Sequence, residues 1–397
     1  MFLVLSRAPV LAFRSQKNHY PSDTVPQETP TRLTFSLSEL AGSLGDFGTI
    51  IPLVLAVAIV SDMNPRYILF FFGVWFIVTG LWYRLPVPLE PMKAIAVIVI
   101  AGGVMEGEVA AAGLILGVIF LLLGYGRFYD FIGRWVPRSV VRGIQLGLAL
   151  LLFRASAGFV YQDPVFFVIG TAIILAFLVA GHYRSFPDLS SLCVIGAGLA
   201  GGLILYGVPP LSFIPAPRLV IPLTADFSTA LSTLVLPQVV LTIANAILAT
   251  SLLSKDLFGA DVPPEKLSVS IGLMNLTSVP FGGFPMCHGA GGLAGQYRYG
   301  ARTGGANLYA GAIFLILALF FTSPQVLSII AVGVLGALLV FVGIEMGRHS
   351  IKTDSLAITL VIGVLAVVSS ITLAFIVGMI LAWIPGLAGK KNGTEPC

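Results

Sequence analysis

Long apolar stretches follow one another along the chain, separated by short segments rich in Pro, Gly, Arg and Lys. Most are close to the ~20 residues that an α-helix needs to cross a bilayer. The stretches 91–104 and 286–299 are too short to cross alone and predict half-helices. Hydropathy and these short separating segments together predict fourteen approximate spans: 37–60, 66–83, 91–104, 108–126, 138–156, 164–181, 187–207, 234–254, 266–280, 286–299, 306–322, 324–343, 354–369 and 371–388.

The composition supports a membrane-embedded fold. Hydrophobic residues make up 57% of the chain and charged residues 10%, with a mean hydropathy of +0.98, whereas a soluble domain carries about 25% charged residues. The sequence therefore predicts an all-α polytopic membrane protein whose surroundings are the lipid bilayer. The net charge of +4 comes from residues spread over short loops, which is typical of topology sorting and does not indicate binding to nucleic acid.

Loop charge predicts the orientation of the chain. With the N-terminus inside, only Arg66, Arg154 and Arg218 of the 22 Lys and Arg residues lie outside. Lys93 falls within a span, and the others lie on the cytosolic side. This asymmetry predicts a multi-pass protein of the cell membrane with cytoplasmic N- and C-termini. Glu39, nearer the cytosolic end of the first span, is predicted to be interfacial.

The two short stretches are the third and tenth spans, and their spacing predicts an internal repeat. Because they are seven spans apart and seven is odd, two seven-helix halves would have opposite orientations, as in a 7+7 inverted repeat. Both short spans have Pro-Met where an extended lead-in meets a helix, at Pro91-Met92 and Pro285-Met286. Residues 208–233, between the halves, are rich in Pro and polar residues, as in a linker.

Helix breakers precede both half-helices. Pro86, Pro88 and Pro91 exclude a continuous helix over LPVPLEP, so this segment is predicted to be extended and the helix to begin near Pro91. FGGFP is likewise predicted to be extended, with a half-helix beginning near Met286. Two half-helices from opposite sides would aim their unpaired N–H groups and positive dipole ends at one point, which predicts an anion site.

Lys93 bears on this anion site. A cation in the first turn of a helix opposes the dipole, and a charge within a span costs at least ~2.5 kcal/mol. An anionic substrate or the neighbouring Glu90 would offset that cost. Two interpretations stay open: Lys93 binds substrate, or it forms only an ion pair with Glu90.

The tenth span opens with Cys287 and His288, followed by Gly289, Gly291 and Gly292. The glycines allow close approach of the backbone to a ligand, or close helix packing. The adjacent Cys287 and His288 would point in different directions on a helix without metal-ligand spacing around them, which argues against catalysis. His288 is a hydrogen-bond donor to substrate, a proton carrier or a structural histidine. The widely separated cysteines predict no disulfide framework, and no cofactor is expected.

Asp46 is a carboxylate within the apolar first span, and such residues are functional by default. It would take a proton, coordinate a cation or brace Lys93. The counterpart of the first span in the repeat is the eighth, where Gln238, Thr242 and Asn245 recur at helical spacing and share one face. The alternative for that face is helix–helix packing.

Three segments carry a family resemblance. GDFGTIIPLVLA (45–56), PVPLEPMKAIAV (86–97) and PMCHGAGGLAGQYRYGARTGG (285–305) resemble signatures of the molybdate transporter family within the sulfate permease superfamily. The likeness runs over roughly 35–388. It implies a fourteen-helix inverted repeat, with spans 1–4 and 8–11 as a core domain and spans 5–7 and 12–14 as a gate domain. It also implies an oxyanion between spans three and ten, and a homodimer.

The residues and the resemblance together predict a division of the chain. Residues 1–34 are predicted to be a cytosolic tail, because Arg7 interrupts the apolar run and no small-residue cleavage site follows; a targeting segment is the alternative. In chain order, the segments are a cytosolic N-terminal tail (1–34), the first half of the core domain (35–133), the first half of the gate domain (134–207), the inter-repeat linker (208–233), the second half of the core domain (234–322), the second half of the gate domain (323–388) and a cytosolic C-terminal tail (389–397).

Candidate site residues follow from the half-helices, the first span and the eighth span. Plant members of the family carry Gln where this chain has Glu90, so Glu90 either pairs with Lys93 or carries a coupling proton. The coupling candidates are Asp46, Glu90 and His288. The predicted substrate-binding residues are Asp46, Gly48, Thr49, Glu90, Met92, Lys93, Thr242, Asn245, Met286, Cys287, His288 and Gly289.

The resulting hypothesis is a secondary active transporter that imports an oxyanion, molybdate in the first place, coupled to a proton or sodium. Sulfate and tungstate are close competitors in size and charge. A passive anion channel is the alternative class. An intramembrane aspartyl protease does not fit, because the sequence reads GSLGD and not GxGD. The chain has no GxxxxGK[ST] motif, so we do not expect ATP-driven transport or an enzyme.

Overall fold

The computed structural model describes residues 32–61, 63–125, 137–183, 189–207, 213–321 and 331–384. Both predicted tails lie outside these residues, except for the last residues of the N-terminal one. Some of the predicted linker and the start of the twelfth predicted span also lie outside the described residues.

The described residues are mostly α-helical, which confirms the predicted fold class. The helices are α1 (Leu37–Ser43), α2 (Phe47–Val60), α3 (Pro65–Tyr83), α4 (Lys93–Ala101), α5 (Glu106–Tyr125), α6 (Arg138–Gln162), α7 (Pro164–Tyr183), α8 (Ser190–Tyr206), α9 (Thr224–Phe258), α10 (Pro264–Ser278), α11 (Ala290–Arg298), α12 (Gly305–Ile316), α13 (Val332–Ser350), α14 (Leu356–Val368) and α15 (Ile371–Trp383).

Four of these helices, α3, α5, α6 and α9, are long and apolar enough to cross a membrane. The helices α1 and α2 are separated by a 40° bend and meet the same length and composition criterion only when they are taken together. The sequence predicts a continuous first span here. Five further apolar helices in the described part of the chain are shorter. The exact number of fourteen spans, and the inverted repeat, stay predictions.

The eighth predicted span, 234–254, belongs to a longer helix, α9 (Thr224–Phe258), which has two irregular turns. The last part of the predicted linker, 224–233, is therefore helical. In α9, π-helical turns occur at Ala230–Val235 and Thr242–Leu248. A π turn adds a residue to the helical repeat and often marks a functional site. The second turn begins at Thr242, so the regular spacing that placed Asn245 on the face of Gln238 does not continue through it.

The lead-ins to both half-helices end in short strands that pair. The prediction that FGGFP is extended is wrong for its first two residues, because Phe281 ends a 3-10 turn and Gly282 has a φ of 81°. The strands β1 (Glu90–Pro91) and β2 (Met286–Cys287) are antiparallel, and the N–H of Met92 donates to Pro285 O at 2.9 Å. The half-helices therefore begin at Lys93 and Ala290. The predicted start near Met286 is wrong by four residues. The backbone of Met286 and Cys287 pairs with β1 instead of forming helical hydrogen bonds.

Helix packing divides the described chain into two groups. In one group, α3 lies along α12, α5 along α10, and α1 against α11 and α12. In the other, α6 lies along α13 and α14, α7 along α13 and α8, and α14 along α15. The first group also contains β1, β2, α4 and α11. It contacts the second group where α4 lies against α6 and where α2 lies against α13.

Glu39 connects the start of the first span to the start of α12. Its Oε1 accepts from the N–H groups of Arg302 (3.1 Å) and Thr303 (2.9 Å) and from the hydroxyls of Thr34 and Thr303, and its Oε2 accepts from the N–H of Ala306 (3.2 Å). The side chain is 2% exposed, so it is enclosed by protein, and its interfacial depth in the membrane stays a prediction. A carboxylate in this place satisfies first-turn N–H groups and complements the helix dipole.

Replacing Glu39 by Ala is expected to reduce the stability of the fold by about 3 kcal/mol, because several buried donors lose their acceptor. The measurement is the melting temperature of the detergent-solubilised protein. Glu108→Ala is the control, since Glu108 accepts a hydrogen bond from the N–H of Met105 at an exposed position. Equal melting temperatures for the two variants would contradict the assigned role of Glu39.

Candidate functional site

The predicted site residues converge on the strand pair, the two half-helices and the break between α1 and α2. Asp46 is the residue before α2, and Glu90 lies opposite Cys287 in the strand pair. Both carboxylates are buried, Lys93 is half-buried, and Gly48 is exposed beside a half-buried Thr49. The arrangement places two carboxylates and one ammonium group where the half-helices begin.

The N-terminus of α4 is capped by a side chain from α9. Gln238 Oε1 accepts from the N–H groups of Ala94 at 2.9 Å and Ile95 at 3.4 Å, and Gln238 Nε2 donates to Thr242 Oγ1 at 2.9 Å. The expectation of unpaired first-turn N–H groups is therefore wrong for Ala94 and Ile95. The Gln238 amide therefore lies between the N-terminus of α4 and the rest of the site.

The N-terminus of α11 receives a carboxylate from β1. The N–H of Gly292 donates to Glu90 Oε1 at 3.1 Å, and Lys93 Nζ lies 2.5 Å from Glu90 Oε2. A negative charge on a helix N-terminus is favoured by the unpaired N–H groups and by the dipole. In this conformation, Glu90 supplies that negative charge, and the ion pair with Lys93 is formed.

Two glycines of the tenth span make room for the carboxylates. A Cβ on Gly289 would collide with the Glu90 carboxylate, and one on Gly292 would collide with Asp46 Oδ2 and lie 3.0 Å from Glu90 Oε1. A Cβ on Gly291 would meet no described atom within 4 Å. Close approach of the site carboxylates thus accounts for two glycines of this segment.

Three buried polar side chains hold the extended segments in place, and two of them are asparagines. Asn275 pairs with both backbone groups of Met286, at 2.9 Å and 2.8 Å. Asn307 Nδ2 donates to Val87 O at 2.6 Å. These contacts satisfy backbone groups that would be costly to leave unpaired inside a membrane. Asn275 and Asn307 were missed at the sequence level, and their only signal was a polar residue within an apolar span.

His288 is the third of these side chains and is enclosed by protein groups. Its Nδ1 lies 3.0 Å from Pro88 O, its Nε2 lies 2.7 Å from Ser270 Oγ, and Ser270 Oγ lies 2.7 Å from the Tyr83 hydroxyl. Both ring nitrogens are therefore engaged in connecting the extended lead-in to α10. This favours the structural alternative among those that the sequence left open.

Replacing His288 by Ala is expected to lower stability by about 2 kcal/mol, because Pro88 O and Ser270 lose a buried partner. The melting temperature of the solubilised protein measures this loss. His288→Gln should recover some of it, since a Gln amide retains both a hydrogen-bond donor and an acceptor. If instead both variants melt like wild type but lose the pH dependence of transport, His288 is a proton carrier.

The remaining predicted residues line the same region in different ways. Met92 and Met286 are fully buried and Cys287 is nearly so, so their side chains pack in the protein interior. Thr242 is buried against Gln238, while Asn245 is half-buried in the π turn. Among the described residues, no group of three or more His, Cys, Asp and Glu side chains is placed to hold a metal ion.

Comparison with known proteins identifies the family. Residues 38–152 and 230–346 match the family described as "Molybdate transporter of MFS superfamily". The chain belongs to the molybdate transporter family. It is similar to "Molybdate transporter 2" of Arabidopsis thaliana, with 32% identity over 87% of this chain and 86% of the relative. It is also similar to "Molybdate transporter 1" of Chlamydomonas reinhardtii, with 27% identity over 89% and 92%.

Solved structures show the same fold at low sequence identity. The transmembrane domain of the cyanobacterial bicarbonate transporter BicA matches with a TM-score of 0.62 and 17% identity, covering 88% of this chain and 97% of that one. The anion transporter SLC26A9 matches with a TM-score of 0.69 and 16% identity, covering 87% and 64%. This member of the molybdate transporter family is therefore a multi-pass membrane transporter and not an enzyme, as the sequence predicted.

Proposed function

We propose that this protein is a secondary active transporter that imports molybdate by alternating access, with the anion held between the N-termini of α4 and α11. The names of its relatives support molybdate as the substrate. The transporter would lie in the cell membrane as a homodimer with cytoplasmic termini.

The observation that carries the proposal is the hydrogen bond between the Gly292 N–H and the Glu90 carboxylate. It places a negatively charged oxygen at the N-terminus of α11, next to Lys93 Nζ. An oxyanion has the same kind of acceptor atom, so it would bind by taking over the Gly292 N–H and Lys93 from Glu90. The Gln238 amide would supply the polar contact on the side of α4.

Helix packing supports the inverted repeat and the two moving units. In a repeat of seven, the second and ninth spans correspond, and so do the fourth and eleventh. The contact of α3 with α12 then corresponds to the contact of α5 with α10, and both are extensive. We take the group with the strands as the core domain and the group around α6 and α13 as the gate domain. Alternating access would be a movement of one group against the other around the anion site.

Molybdate binding to the purified protein, titrated with and without excess sulfate, tests the substrate. We expect tight molybdate binding that sulfate displaces poorly. Equal displacement by sulfate would make the protein a general oxyanion carrier, and tungstate is measured in parallel. Absence of binding by any of the three anions would contradict the proposal.

Uptake into proteoliposomes tests the transport class. A secondary transporter accumulates molybdate above its external concentration when an ion gradient is imposed, and its rate saturates with substrate. A channel would only equilibrate the anion. Equilibration without accumulation under proton and sodium gradients would therefore replace the transporter proposal by the channel alternative.

A further inference from the structure

Asp46 and Glu90 are close neighbours on the same side of α11. A Cβ on Gly292 would meet both Asp46 Oδ2 and Glu90 Oε1, so the two oxygens lie against one point of that helix. The Glu90 carboxylate is held by Lys93 and by the Gly292 N–H. Asp46 is 4% exposed, and its Oδ2 has no hydrogen-bond partner among the described residues.

The charges of this cluster do not balance. Two carboxylates and the ammonium group of Lys93 leave one net negative charge in a buried place. A dianionic oxyanion would raise it to three negative charges, which a low-dielectric site cannot hold without further cations. Binding of the anion therefore requires that positive charge enters with it.

We propose that Asp46 and Glu90 form a proton-accepting pair, so that each oxyanion is transported together with at least one proton. This inference rests on the proposed function and names the coupling ion of the same site. The proton binds Asp46 Oδ2, whose carboxyl group then donates to Glu90 Oε1 or to an oxygen of the oxyanion. When the anion leaves on the cytosolic side, the proton leaves too and the carboxylate is restored.

The surroundings favour a proton over a metal cation. The titratable groups that face the pair are Lys93, Cys287 and His288. Of these, Lys93 already pairs with Glu90, and His288 is engaged with Ser270 and Pro88 O. A hard metal cation takes several oxygen ligands, whereas a proton needs only the unpartnered oxygen of Asp46 and one acceptor.

The test uses the full chain in proteoliposomes with a pH-sensitive dye in the lumen and no sodium present. Addition of molybdate is expected to acidify the lumen, and an inward proton gradient is expected to raise uptake at least tenfold. Asp46→Asn is expected to lose both effects, and its molybdate affinity is expected to lose the rise at low pH that coupled proton binding gives the wild type. Asp256→Asn, at an exposed position of α9, is the matched control and should behave like wild type.

The outcomes separate this inference from the proposed function. If wild-type protein takes up molybdate without proton movement, or only under a sodium gradient, the coupling inference is overturned and the transporter remains. If Asp46→Asn still couples, the pair is not the proton acceptor. Glu90→Gln is the second variant, and loss of both proton movement and the pH dependence of molybdate affinity supports the pair. Absence of both binding and uptake in wild type would instead contradict the proposed function.

Discussion

Replacing Lys93 by Met is expected to lower the affinity for molybdate by about 100-fold or more. The substitution keeps an unbranched side chain but removes the cation that lies 2.5 Å from Glu90 Oε2. Removing one partner from a hydrogen-bonded charge pair formed on binding costs about 2–5 kcal/mol of binding free energy, and each 1.4 kcal/mol corresponds to about a tenfold change in affinity. Equilibrium binding of labelled molybdate to the purified variant measures the loss.

A double variant separates the two interpretations of Lys93 that the sequence left open. In Lys93→Met with Glu90→Gln, both members of the ion pair are neutral, so the buried charge left by the single substitution is removed. If Lys93 contacts the substrate, affinity stays low in the double variant. Recovery of wild-type affinity would show that Lys93 only balances the charge of Glu90.

Replacing Gly292 by Ala is expected to reduce molybdate transport at least tenfold. The added methyl group would occupy the place of the Asp46 carboxylate and crowd Glu90 Oε1. Asp46 would have to move from the N-terminus of α11, and the hydrogen bond from the Gly292 N–H to Glu90 would be disturbed. Initial rates of uptake into proteoliposomes, normalised to the amount of folded protein, measure the effect.

Gly291→Ala is the matched control, because it makes the same chemical change one residue earlier in α11. Its added Cβ meets no described atom within 4 Å, and Ala is better than Gly within a helix by up to about 1 kcal/mol. We expect uptake close to wild type and equal or higher stability. If the two variants transport equally well, close packing of the carboxylates on α11 is not required for transport.

Much of the fold could be predicted because it depends on local chemistry. Pro86, Pro88 and Pro91 cannot continue a helix, and the corresponding segment is extended in the structure. The Gly- and Pro-rich segment before Met286 is also free of α-helix, but it begins with a 3-10 turn that ends at Phe281. The membrane class and the family also follow from composition and motifs. The start of α11 was misplaced because a two-residue strand pair between distant segments has no local pattern.

The candidate site could be predicted in its residue types but not in its partners. The sequence identifies Asp46, Glu90 and Lys93 because a charge within an apolar span is costly and therefore indicates a functional site. The capping of α4 by Gln238 joins residues 144 positions apart, and the bond from Gly292 to Glu90 joins residues 202 apart. His288 was left with three roles, since its engagement by Pro88 O and Ser270 depends on three separate segments.

The sequence by itself determined that this chain is a helical membrane protein with two interrupted spans, because apolar length and proline act within a few residues of the chain. It also predicts an anionic ligand, through a lysine at a helix start. Only the tertiary structure decided which group meets each half-helix N-terminus and which carboxylate oxygen lacks a partner. Those contacts arise when distant helices pack together, and burial then makes every unpaired charge costly.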